Sequence, residues 1–271
     1  MSPAASSSPL KGHWALILGA SSGFGEAAAL RLAQAGMNIF GVHLDRHATM
    51  PHVAEVTARI RQAGGEAVFF NINAAAAEKR ADVVGSISER LAQQGRPLRV
   101  LLHSLAFGAL KPYVADSPRD ALTPAQMDMT LDVMAHSLVY WAQDLAAPGL
   151  LGPGSKIFAM TSAGDQRIWP TYGAVSAAKA ALESHMRQLA VELAPKGIAC
   201  NCIRAGVTDT PALRKIPGSD KLLQGARERN PSGRITTPED VAEAIATLAA
   251  SDSGWLTGNV IGGDGGEDIV G

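Results

Sequence analysis

Apolar residues in this chain gather into short unbroken runs, and the runs are separated by longer stretches of helical spacing. The runs at 14–18, 38–44, 67–71, 98–102, 157–160, 198–203 and 259–261 have strand length. Residues 26–35, 51–63, 75–94, 123–147, 171–194 and 241–250 are Ala- and Leu-rich and predict helices. Gly36 closes the first helix, and Pro195 and Gly197 stop the one that begins at 171. Strands apolar on both faces, alternating with helices, predict an α/β fold. It is a single Rossmann-type, doubly wound parallel sheet with helices on both faces and right-handed crossovers. Ligands of such sheets bind at the carboxyl ends of the strands. Gly19, Asn71, Ser104, Ser162 and Gly206 all fall at those ends, as does the start of the 171–194 helix, so one cleft is expected to collect them.

Composition narrows this picture. The chain has 271 residues, 46% of them hydrophobic, enough for one domain with a large core, read as 12–271. Residues 1–11 are rich in Ser, Ala and Pro and read as a flexible tail, not a signal peptide. Residues 206–230 read as a substrate-covering segment, flexible and with little periodicity from 211 onward. No apolar run is long enough to span a bilayer, and a net charge of −1 argues against a nucleic-acid or anionic-membrane partner. Cys200 and Cys202 are two apart on a strand, about 7 Å, which is too far to bridge easily; a reducing cytoplasm is expected. The seven His lack metal-ligand spacing, so no metal is expected.

Two stretches carry chemistry. The run at 14–18 leads into Gly19-Ala-Ser21-Ser22-Gly23-Phe24-Gly25 and then a helix. In that setting glycines let backbone N–H groups approach a pyrophosphate at the helix N-terminus. An acidic residue at the end of the second strand would bind a ribose 2′-OH and select NAD. That place falls near His43, with Asp45 and Arg46 just beyond. His43 and Arg46 suit a 2′-phosphate and Asp45 opposes one, so the balance leans to NADPH over NADH. Further along, Tyr172 and Lys179 are seven residues apart. On a helix that is about 700° and roughly 10 Å, so both lie on nearly one face. An ammonium can favour the phenolate and hold a polyol, and a phenol can donate to an oxyanion.

The motifs Leu18-Gly-Ala-Ser-Ser-Gly-Phe-Gly25, Ser162…Tyr172…Lys179, Arg204-Ala-Gly206-Val-Thr-Asp-Thr210 and Leu256-Thr-Gly-Asn-Val-Ile-Gly-Gly-Asp-Gly-Gly266 resemble the short-chain dehydrogenase/reductase superfamily, over nearly the whole chain. Most of that superfamily has Tyr four residues before Lys, where this chain has Val175. A Tyr seven before the Lys, together with Leu102-His-Ser-Leu-Ala-Phe107, resembles the divergent enoyl-acyl carrier protein reductases, the type III enzymes most of all. Ser162 stands where carbonyl-reducing relatives keep a Ser, and Met134 stands about where they keep a helix Asn.

The resemblance implies an NAD(P)H-dependent oxidoreductase that reduces the 2,3-double bond of an enoyl thioester, on acyl carrier protein or coenzyme A. Tyr172 would stabilise the enolate. Lys179 would hold the nicotinamide ribose and bias Tyr172 electrostatically, and Ser162 stays a third catalytic candidate. Gly19, Ser21, Ser22, Gly23 and Phe24 would hold the pyrophosphate, Asn71 and Ile72 would flank adenine, and Ser104, Leu105 and Ala106 would line the ribose side. Val207 would meet the carboxamide and Thr210 a phosphate, with Gly206 and Thr208 counted beside them. Trp169 walls the acyl site or packs at the surface. A homotetramer is implied, through the helices at 123–147 and 171–194 and the last strand. Two alternatives stand: a 3-oxoacyl or 2,4-dienoyl thioester reductase using Ser162, and a non-catalytic dinucleotide-binding protein.

Overall fold

The computed structural model describes residues 8–270. Seven strands form one parallel sheet in the order β3-β2-β1-β4-β5-β6-β7. They are β1 (Trp14–Leu18), β2 (Asn38–His43), β3 (Ala67–Asn71), β4 (Val100–His103), β5 (Lys156–Ser162), β6 (Ala199–Ala205) and β7 (Val260–Gly263). The α-helices are α1 (Gly23–Gln34), α2 (Met50–Gln62), α3 (Ala77–Ala92), α4 (Pro124–Leu131), α5 (Ser137–Ala146), α6 (Gly173–Leu193), α7 (Ser219–Arg229) and α8 (Pro238–Ala250).

Strand periodicity divides the core in two. In β1, Trp14, Leu16 and Leu18 point to one face of the sheet, where α3, α5 and α6 cover them. Ala15 and Ile17 point to the other, under α1, α2 and α8. Every β1 side chain is therefore buried, which is why the sequence shows a continuous apolar run and no alternation. Strand order reverses between β1 and β4, and the crevice outside their carboxyl ends is the ordinary ligand site of such a sheet.

Three expectations are corrected. Leu10, placed in a tail, is buried in the core, and Gly12 donates to the Gly36 carbonyl at 2.8 Å, so the domain begins earlier than read. Residues 1–7 of that tail lie outside the described residues. The helix expected over 123–147 is interrupted by a π-turn at Asp132–His136. There the Thr130 hydroxyl bonds the Gln126 carbonyl at 2.7 Å, and the Ser137 hydroxyl bonds the Val133 carbonyl at 2.8 Å. Such back-bonding perturbs a helical ladder, and π-turns gather at functional sites. The covering segment is structured as well: Leu213–Lys215 is a 3-10 turn, and α7 fills most of the rest. Its charged residues hid an amphipathic helix whose buried residue is Ala226.

Candidate active site

The glycine turn between β1 and α1 is packed as tightly as its sequence implies. Gly19 has φ +90°, and a Cβ there would collide with the Ser104 carbonyl oxygen. A Cβ on Gly25 would collide with the Gly19 carbonyl. Ser22 caps α1 with extended backbone, and its side chain accepts none of the first-turn amides. Those N–H groups are left facing the crevice, a site for an anion. A Cβ on Gly23 would lie 3.5 Å from the Thr210 methyl, so the loop after β6 reaches back over the turn.

At the end of β2 the structure departs from expectation. His43 is buried, and its Nδ1 lies 3.0 Å from the Asp45 carboxylate, so it offers no free imidazole to a phosphate. Arg46 is exposed. Burial pushes the Asp45 carboxyl up, but hydrogen bonds from Ser21, Thr49 and His43 outweigh it and hold the group below its ordinary value. Asp45 thus presents an ionised carboxylate beside the glycine turn. The Asn71 side chain is occupied in holding it: Oδ1 accepts from the Asp45 N–H and Nδ2 donates to the Asp45 carbonyl, both at 2.9 Å.

A cavity of about 440 Å3 opens at the ends of β4, β5 and β6. Its wall includes Phe24, Ser104, Leu105, Ala106, Ser162, Tyr172, Lys179, Gly206, Val207, Thr208 and Thr210, so it unites most of the residues read from sequence. Gly19, Ser21, Ser22, Gly23, His43, Arg46, Asn71 and Ile72 are not in its wall; they belong to the ends of β1, β2 and β3 and the loops beyond them. Phe107, Leu110, Met134, Trp169, Val175 and Leu222 make much of the remaining wall apolar.

Tyr172 is the N-cap of α6 and not its first turn, with φ −91° and ψ 0°. Its ring packs on Gly164, where a Cβ would come within 2.6 Å of it, and Ser162 lies beside it in the cavity wall. Burial raises the phenol above its ordinary value and the Ser162 hydroxyl partly opposes this. The expected pull of Lys179 on Tyr172 is not seen. Lys179 is buried deeper along α6, where Nζ donates to the Met160 carbonyl at 2.7 Å. Burial lowers it to about 8, with Cys202 and Glu183 opposing. Nearby His103 donates or accepts at Ser137 Oγ, 2.9 Å away, and burial then the Lys179 charge bring it down to about 3; it is a neutral structural His.

Residues 19–267 match the family model described as Enoyl-(Acyl carrier protein) reductase. The chain belongs to this family. This enoyl reductase-type member of the short-chain dehydrogenases is an oxidoreductase with the expected fold. It is similar to 1-cyclohexenylcarbonyl-CoA reductase of Streptomyces collinus, 31% identical over 94% of this chain and 86% of that protein. Among solved structures it is similar in fold to the enoyl-[acyl-carrier-protein] reductase (NADH) of Aquifex aeolicus VF5. That match has a TM-score of 0.83 and 24% identity, covering 97% of this chain and 99% of the other. A short-chain dehydrogenase from Burkholderia cenocepacia J2315 in complex with NADP aligns with a TM-score of 0.78 and 26% identity, over 96% and 99% of the two chains.

Reading the sequence missed the carboxylates of this reductase's cleft and their partners. Glu267 is buried in the cavity wall; it accepts from the Val207 N–H at 3.0 Å and from Arg229 at 3.1 Å. The amide assigned to a carboxamide is thus engaged by a side chain of the C-terminal segment. The same carboxylate ties down the end of α7, and Asn230 adds a bond to the Asp264 carbonyl at 2.8 Å. Arg204 reaches Asp165 and Glu183, each at 3.4 Å, and Asp268 at 3.5 Å. Trp169 donates to the Pro217 carbonyl at 3.0 Å, so it both walls the cavity and anchors the covering segment. A Glu directly after a glycine-rich stretch was the one signal available for Glu267. The residues that meet it are far apart in sequence.

Proposed function

We propose that this reductase uses a nicotinamide dinucleotide to reduce the 2,3-double bond of an enoyl thioester. The observation that carries this reading is the placement of the phenol. Val175, four before Lys179, is a buried wall residue, and the phenol is supplied by Tyr172 at the helix N-cap, further from the lysine. A carbonyl substrate takes hydride at the carbon bearing the oxygen. An enoyl thioester takes it at Cβ, with charge collecting on an oxygen two carbons away, so a displaced donor suits it. Met134 in the wall, where carbonyl-reducing relatives keep an Asn, supports the same choice.

The crevice suits the coenzyme on its own geometry, because the close packing at Gly19 and Gly25 leaves backbone amides open at α1. The coenzyme supplies the hydride, and the protein supplies binding, orientation and a proton donor. Ser104 and Thr208 line the cavity where the coenzyme's reactive end would lie, Phe24 would stand on its pyrophosphate side, and the Lys179 ammonium would donate to its ribose hydroxyls. Tyr172, protonated near neutrality, donates to the thioester oxygen. Apolar walls keep water out, which strengthens that bond in a low-dielectric site. The Asp45 carboxylate revises the preference to NADH, because it would accept from a ribose 2′-OH and repel a 2′-phosphate. We also read the assembly as a homotetramer: β7 lies at the sheet edge and Trp255 beside it is 95% exposed. Light scattering checks this.

A second reading keeps Ser162 as the principal donor, since it lies in the cavity wall beside Tyr172, and makes the substrate a 3-oxoacyl thioester. Tyr172→Phe and Ser162→Ala separate the two when coenzyme oxidation is monitored with crotonyl and acetoacetyl thioesters. An enoyl reductase should lose about 10²–10³ in turnover of the crotonyl substrate in Tyr172→Phe and much less in Ser162→Ala. The reverse order would favour the ketoreductase.

A further inference from the structure

We propose that Thr171 is a positioning residue, whose strained backbone aims Tyr172 at the cavity; this rests on the enoyl-reductase reading above. Thr171 has φ +65°, and it is the non-glycine residue at positive φ among the described residues. For a β-branched side chain this conformation is a genuine outlier, because Cβ crowds the backbone. Local hydrogen bonding does not compensate: the Thr171 hydroxyl is buried and has no partner. Nor is the conformation imposed by a neighbouring glycine turn, since Pro170 precedes it and Tyr172 comes next. Strain of this kind persists only where the surroundings over-determine it, and it gathers at functional sites.

The surroundings are visible. On one side the Trp169 carbonyl accepts from the Tyr172 N–H at 3.2 Å, and the Trp169 ring is pinned to the covering segment through Pro217. On the other, the Tyr172 carbonyl accepts from Ser176 at 2.9 Å, opening α6. Gly164 and Gly173 lie flush against aromatic rings: a Cβ on either would come within 2.6 Å of Tyr172 or Tyr113 respectively. The chain must therefore reverse within one residue to carry Tyr172 onto Gly164 and Ser162 and still enter the helix at Gly173. Thr171 is that residue. The phenol's place is set by a bend that its own side chain resists.

Three variants test this. Thr171→Asn accepts a left-handed backbone more readily and should melt about 2–4 °C higher with turnover kept. Thr171→Gly frees the bend altogether; crotonyl-thioester turnover should fall about tenfold through kcat, with coenzyme affinity by fluorescence unchanged. Thr171→Val keeps the shape without the hydroxyl and should keep turnover. A readout independent of turnover is the titration of the three tyrosines, observed by 13C NMR of the labelled Cζ. The latest-titrating phenol should move toward the ordinary value of about 10 in Thr171→Gly and stay in place in Thr171→Asn. No rise in melting temperature for Asn would remove the strain. Full turnover or an unmoved phenol in Gly would remove the positioning, and loss of turnover in Val would assign the effect to the hydroxyl instead. If the wild-type protein itself leaves crotonyl thioester untouched, the enoyl reading fails, while melting and NMR still decide the role of Thr171.

Discussion

At the ends of β1, β2 and β3 the cleft is walled by backbone. Gly19 and Gly25 leave no room for a Cβ, α1 opens with uncapped amides, and Asn71 is consumed in shaping the Asp45 loop. At the ends of β5 and β6 the wall is made of side chains held under constraint. A buried ammonium sits at Lys179, a buried carboxylate at Glu267 and a strained bend at Thr171. A universal ligand part can be held by peptide groups common to every residue. A reacting group needs particular atoms at particular places, and burying them costs desolvation and strain. The two halves should therefore fail differently when altered.

Beyond Tyr172 itself, the largest effect is expected in the backbone-built half. Gly25→Ala forces its methyl into the Gly19 carbonyl and should weaken coenzyme binding by about 10–100-fold, measured by fluorescence titration. Retained affinity would mean that the turn is not the coenzyme cradle. In the side-chain half, Lys179 should show in the pH profile. Its ammonium is held down at about 8, so it is present below that pH and lost above it. Turnover should fall as pH rises through about 8, to roughly a tenth one unit higher, and a profile flat to about pH 10 would exclude an ionised Lys179 from the reaction. The smallest effect tests the seam between the halves. NADH should be preferred by about tenfold, about 1.4 kcal/mol, and Asp45→Ala should erase most of that preference. A wild-type preference for NADPH would restore the 2′-phosphate to His43 and Arg46.

Legibility in the sequence divides along the same line. The seven strands, the glycine turn and the gathering of Ser162, Tyr172 and Lys179 at one cavity were legible, because periodicity, glycine chemistry and motif spacing are local. The missed features are tertiary. A run of helix formers at 123–147 gives no sign that Thr130 and Ser137 will bond back and open a π-turn. Charged residues at 219–229 conceal a helix that is held by Glu267, almost forty residues later. His43 read as a ligand because the strand end was counted correctly, but it is buried and bonded to Asp45, whose backbone is held by Asn71 of the neighbouring strand. Leu10 looked like part of a tail because one apolar residue makes no pattern, and the core nevertheless takes it.

The central claim is that hydride arrives at a carbon two bonds removed from the carbonyl whose oxygen Tyr172 holds. Coenzyme deuterated at the transferable C4 position, incubated with the protein and crotonyl thioester, tests it directly. Mass spectrometry and NMR of the product should find one deuterium at C3 of a saturated butyryl thioester. Deuterium on a carbinol carbon from acetoacetyl thioester, with crotonyl thioester recovered unlabelled, would contradict the account.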